Sequence, residues 1–126
     1  MKNKKDVCVD LDGVLADYEE GWKGSDHIGY PIPGAVDFVK ELSSFCKVII
    51  HTSRSSIPGV LDSIKNWLDT HGFEYDSIWE GEGKPIASAY VDDRAVLCDP
   101  QDLHGLSGFS GYDVAVQECK VLCEED

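Results

Sequence analysis

Four short stretches place reactive side chains where a strand ought to end. The first is Asp10-Leu11-Asp12-Gly13-Val14, directly after the apolar run that begins at Val7. Two carboxylates two residues apart can both reach one cleft, and Gly13 lets the chain turn sharply. Such a pair suits metal binding, nucleophilic attack or acid/base work; it also suits a solvated turn. The second is His51-Thr52-Ser53-Arg54, after Val48-Ile49-Ile50. Here Thr52, and less favourably Ser53, offers a hydroxyl to a phosphoryl oxygen. The plainer alternative is a Ser/Thr turn capping the next loop. The third is Gly83-Lys84-Pro85, in which a glycine before and a proline after hold a lysine in a defined loop, or which carries an ordinary exposed lysine. The fourth is Tyr90-Val91-Asp92-Asp93-Arg94. Adjacent carboxylates after an apolar strand are costly unless a cation neutralises them, although helix-capping acids look the same.

Strands alternating with helices would position these groups. Val7 to Asp10 reads as a first strand. Pro33-Gly34-Ala35 opens a helix with Ala35, Val39 and Leu42 at helical spacing. Lys47 to His51 is a second strand, with Val48, Ile49 and Ile50 continuously apolar as if buried on both faces. A second helix starts at Pro58, buries Val60, Ile64, Trp67 and Leu68, and stops at Gly72. Shorter strands are expected over Tyr75 to Trp79, Ala87 to Val91 and Ala95 to Cys98, and a last helix over Tyr112 to Leu122. The pattern implies an α/β fold with a central parallel sheet and helices on both faces, in one domain spanning residues 1–126. In such sheets ligands bind beyond the carboxyl ends of the strands, where all four stretches fall.

Taken in order, the stretches give a nucleophile pair, a hydroxyl, a lysine and a metal-binding pair. That order resembles the haloacid dehalogenase superfamily of phosphohydrolases, over about Val7 to Val96. Lys84-Pro85 followed by Tyr90-Val91-Asp92-Asp93-Arg94 resembles the small capless members, and the fold implied is three-layered and Rossmann-like. The resemblance implies Asp10 as nucleophile and Mg²⁺ ligand, and Asp12 as acid/base with its backbone carbonyl on the metal. It implies Thr52 as phosphoryl-binding hydroxyl and Lys84 as the cation that offsets charge on nucleophile and phosphate. It implies Asp92 as direct metal ligand and Asp93 as a ligand through water or an orienter. The segment Val14 to Ile32 has room for a flap, whose Trp22, Lys23, His27 and Tyr30 are candidates for leaving-group contacts. A response-regulator receiver uses similar residues, but there the acidic pair comes first and the lysine last.

Composition narrows the substrate. The formal net charge is -13, with 24 acidic residues against 11 Lys plus Arg in 126 residues. A surface this acidic repels nucleic acid and anionic lipid, and no basic stripe follows a phosphate backbone. A small phosphorylated metabolite is therefore expected, with no nucleic-acid or membrane partner. Lys84, Arg54 and Lys23 would supply cationic charge for one phosphate and one further anionic group. Without a cap, the open site either admits a bulky ester or is covered by a second copy of the chain. The basic start, Met1 to Lys5, runs straight into Asp6 with no signal-like apolar segment, so a cytoplasmic location is expected. The five cysteines fit reduced thiols; Cys119 and Cys123 lie one helical turn apart with no evident partner pair for a metal.

Overall fold

The computed structural model describes residues 4–24, 27–98, 100–101 and 111–124. The chain divides into two compact units, Met1–Asp93 and Arg94–Asp126. The first contains β1 (Lys5–Asp10), α1 (Ala35–Ser43), β2 (Cys46–His51), α2 (Leu61–Thr70), β3 (Ser77–Ile78) and β4 (Ala89–Val91). The described part of the second holds α3 (Tyr112–Glu124). This is an α/β architecture around a four-stranded, all-parallel sheet. No helix among the described residues is long and apolar enough to cross a membrane.

The sheet order is β3-β2-β1-β4. The chain steps from β1 to β2 to β3 in one direction, then returns to lay β4 on the other side of β1. The reversal leaves a crevice between β1 and β4 at their carboxyl ends, the place where open parallel sheets bind ligands. Val7 pairs with Val48 and Ala89, and Asp10 pairs with His51, so register carries the ends of β1 and β2 to the same edge.

Hydrophobic burial accounts for the two central strands. Val7, Cys8 and Val9 of β1 are all buried, as a strand covered on both faces requires. On β2 the pattern alternates instead: Cys46, Val48 and Ile50 are buried while Ile49 is half-buried. α1 packs Val39 against this core, and α2 contributes Ile64 and Leu68. β3 is shorter than the expected Tyr75 to Trp79, but its hydrogen bonding extends further. Asp76 N and Trp79 N donate to the Val48 and Ile50 carbonyls at 2.9 and 2.8 Å, and Val48 N donates to the Asp76 carboxylate at 2.7 Å.

Three expectations need correction. α2 starts at Leu61 rather than Pro58, because Gly59 has φ 81 and a left-handed residue interrupts a right-handed helix. β4 begins at Ala89 rather than Ala87; the Ala87 N–H is bonded to the Tyr90 hydroxyl at 3.2 Å and is not in the ladder. The fifth strand over Ala95 to Cys98 is not formed: the segment has no regular structure, with Leu97 and Cys98 exposed. A short apolar run with no buried face to fill carries little strand information. α3 agrees with the expected helix to within its last turn. Cys119 and Cys123 are exposed free thiols on it, and no third ligand joins them among the described residues. His104, Gly105 and Gly108 lie outside the described residues.

Candidate active site

β1 delivers Asp10 to the crevice and β4 delivers Asp92 and Asp93 from the other side. One carboxylate oxygen from each of the three lies within 4.8 Å of the others. Asp10 is half-buried and Asp92 and Asp93 are exposed. Burial pushes the Asp10 carboxyl up to about 6; the bond it accepts from Leu11 N at 2.9 Å opposes this, and the charges of Asp92, Asp93 and Asp12 add to the rise. Carboxylates held this close could share a cation. The donors are all hard oxygens, which suits Mg²⁺ and gives no N/S set for Zn²⁺. Asp10, Asp92 and Asp93 are the residues that fit such an ion.

Gly13 lets the turn after β1 pass against this cluster. Its φ is 85, and a Cβ there would collide with the Asp93 carboxylate. The turn is closed by Gly13 N donating to Ala16 O at 2.8 Å and by Leu15 N and Ala16 N both donating to Leu11 O at 2.9 Å.

The Asp12 carboxylate points elsewhere. Arg54 grips it with two hydrogen bonds, Nε to Oδ2 at 2.7 Å and Nη2 to Oδ1 at 3.0 Å. Arg54 is only 2% exposed. Its Nη1 donates to the Gly24 carbonyl at 3.1 Å, and its guanidinium lies 4.7 Å from the centre of the Trp22 ring. One buried cation thus joins the candidate acid/base to the flap. Nothing in the sequence marks this pair, because the partners lie 42 residues apart.

Thr52 is buried at the end of β2, and its Oγ1 accepts from Arg54 N at 3.2 Å. It caps a short 3-10 turn over Ser53–Ser56, as the plainer reading held. A hydroxyl that accepts one bond still has its own proton to donate. Ser53 is exposed. Lys84 stands on a loop pinned by Trp79 Nε1 donating to Gly83 O at 3.0 Å and by the Tyr90 hydroxyl bonded to Pro85 O. Its ammonium lies 3.9 Å over the Tyr90 ring, and among the described residues it forms no ion pair with Asp10. The structure therefore gathers Asp10, Asp92 and Asp93, sets Asp12 beside them on Arg54, and leaves Lys84 on Tyr90.

The segment expected to form a flap is described over residues 17–24 and 27–30, and its ends are tied together. Asp17 N donates to Tyr30 O and Ile32 N to Leu15 O, both at 2.8 Å. Trp67 Nε1 donates to Gly29 O at 2.9 Å and secures the loop to α2. A cavity of about 530 Å³ lies between the loop, α2 and Arg54. Lys23, His27 and Tyr30 line it, whereas the Trp22 ring lies against Arg54. Asp17, Tyr18, Glu19, Glu20, Trp67 and His71 also line it. Lys23 is bound to Glu20 at 2.7 Å and Arg54 to Asp12, so two of the three cations expected to serve a phosphate and a further anionic group are already matched by carboxylates.

No protein-family model and no curated protein matches this chain. Among solved structures, a Vibrio cholerae protein determined by crystallography as a structural-genomics target is 24% identical. The match covers 90% of this chain and 98% of that one, with a TM-score of 0.49. A likeness of that degree carries no argument about this chain's chemistry.

Proposed function

We propose that this chain is a Mg²⁺-dependent phosphohydrolase that cleaves a small phosphate monoester through an aspartyl-phosphate on Asp10. The reading takes the sheet as the centre of a three-layer, Rossmann-like, capless fold. The observation that carries it is the meeting of Asp10, Asp92 and Asp93 oxygens within 4.8 Å at the β1–β4 crevice. With Asp12 two residues from Asp10, that cluster has a carboxylate to spare for proton transfer.

Held by Asp10, Asp92 and Asp93, Mg²⁺ would offset the negative charge that makes a phosphate monoester a poor electrophile. The Asp10 carboxylate attacks phosphorus, the P–O ester bond breaks, and protonated Asp12 gives its proton to the departing oxygen. Asp12 then takes a proton from water as that water attacks the aspartyl-phosphate. The bond from phosphorus to Asp10 breaks and inorganic phosphate leaves. The sum is ester plus water giving alcohol plus phosphate. Thr52 donates to a phosphoryl oxygen, and Lys84 turns from the Tyr90 ring toward the same group, where charge sits in the transition state. A protonated Asp12 oxygen is a poorer acceptor, so one of the two Arg54 bonds is weakened while Asp12 carries the proton.

The test is hydrolysis of p-nitrophenyl phosphate with and without Mg²⁺, in wild type and in Asp10→Asn. The reading expects turnover in wild type only, abolished by chelator and restored by Mg²⁺. Equal rates in excess chelator would remove the metal from the account.

A further inference from the structure

The cavity under the flap says which esters the site would take. We infer that this cavity receives the leaving group, and that it selects an uncharged or cationic leaving group over one bearing a second phosphate or a carboxylate. The inference rests on the phosphohydrolase reading and concerns its substrate class.

The cavity and the reacting carboxylates share one wall. Arg54 lines the cavity and is bonded to Asp12, so a group held there lies against the residue that orients the acid. About 530 Å³ suits the organic part of a metabolite. Trp67 offers apolar contact rather than a polar handle: its indole N–H is donated to Gly29 O, and its ring is stacked on Phe73 at 5.2 Å.

Charge decides the preference. The cavity's lysine and arginine are committed, Lys23 to Glu20 at 2.7 Å and Arg54 to Asp12 at 2.7 Å. Asp17 and Glu19 also line the cavity, and among the described residues no cation is paired with either. With histidine neutral, the described lining residues carry three carboxylates against two cations, and because Arg54 is matched by Asp12 from outside the lining, Asp17 and Glu19 both stay without a counter-charge. A second anionic group would meet those two carboxylates, whereas a hydroxyl finds acceptors and an ammonium finds partners. Asp17 and Glu19 are exposed, so salt screens the preference. Two such rim charges are worth roughly 3–10-fold at low ionic strength.

The experiment measures competitive inhibition of Mg²⁺-dependent p-nitrophenyl phosphate hydrolysis by three esters of similar size: phosphoethanolamine, glycerol phosphate and 3-phosphoglycerate. Reading inhibition lets non-substrates count. The expected result is that 3-phosphoglycerate binds roughly 3–10-fold more weakly than the other two at low salt, with the gap closing as salt rises. Glu19→Lys narrows or inverts the gap, Glu19→Gln narrows it less, and Glu41→Lys on α1, which makes the same charge change away from the cavity, leaves it unchanged. Equal binding of the three esters, tighter binding of 3-phosphoglycerate, or the same response to Glu41→Lys as to Glu19→Lys would overturn the inference while leaving the phosphohydrolase intact. No hydrolysis of p-nitrophenyl phosphate by wild type would overturn the phosphohydrolase reading and this inference with it.

Discussion

Arg54 holds Asp12 by both carboxylate oxygens, at 2.7 and 3.0 Å, from a position only 2% exposed. A planar guanidinium suits this two-point grip, and a lysine cannot reproduce it. The pair fixes where Asp12 points before any substrate arrives, and the same guanidinium reaches the flap through Gly24 O and Trp22.

If Asp12 is the acid of the proposed mechanism, Arg54 is its positioning residue. Arg54→Lys is expected to keep the fold, because a cation remains beside Asp12, but to lower kcat/KM for an alkyl phosphate by roughly 10–100-fold, up to the low end of a full general-acid contribution. For p-nitrophenyl phosphate, whose leaving group departs without a proton, the loss should be several-fold smaller. kcat/KM is the right quantity because it reports the steps up to phosphoenzyme formation. Equal losses on both esters would make Arg54 a structural residue only.

Gly13 sets the spacing of the acidic cluster. In Gly13→Ala the new Cβ meets the Asp93 carboxylate, and φ 85 strains any residue but glycine. The strand and helix content should survive, since the turn lies beyond the carboxyl end of β1, outside the strand pairing. The Mg²⁺ concentration for half-maximal activity should rise by roughly tenfold or more, the range seen when groups supporting a metal site are disturbed. Circular dichroism and a Mg²⁺ titration separate the two effects; an unchanged titration would contradict the placement of Asp93.

How much of this could be read from the chain follows from how local each signal is. β1, β2 and the helices announce themselves by apolar spacing. β3 has only two residues, Ser77 and Ile78, and depends on backbone bonds from its flanks to β2. Ala95 to Cys98 shows the opposite error, an apolar run with no face to bury. At the site, Asp10, Asp92 and Asp93 were legible because each lies at or just past the end of a strand and the topology brings those strands together. The commitment of Arg54 to Asp12, and of Lys23 to Glu20, was not. A cation in a sequence carries no mark of its partner, and a bond 42 residues long is decided by folding.

The acidic cluster should leave its trace on stability. With the Asp10 carboxyl raised to about 6 from an ordinary value near 4, the folded state binds a proton more tightly than the unfolded chain does. Stability of the metal-free protein then falls as pH rises from about 4 to about 6 through this group, and the penalty stays above 6. Asp10→Asn removes that penalty, so its Tm at pH 7 without metal should exceed wild type by about 3–6 °C. Adding Mg²⁺ should raise wild type more than Asp10→Asn. Thermal melts at pH 4.5 and 7 check both, and a wild-type advantage at pH 7 without metal would contradict the charge crowding.

The central claim is a covalent phosphoenzyme on Asp10. The most direct measurement is mass spectrometry of Asp12→Asn, quenched in acid after mixing with p-nitrophenyl phosphate and Mg²⁺. This variant has a leaving group that needs no acid but lacks the base for the second step. The account predicts one added phosphoryl group per chain, mapped to the peptide containing Asp10 and absent when Asp10 is also changed to Asn. An unmodified chain, together with Asp10→Asn that still turns over substrate, would contradict it.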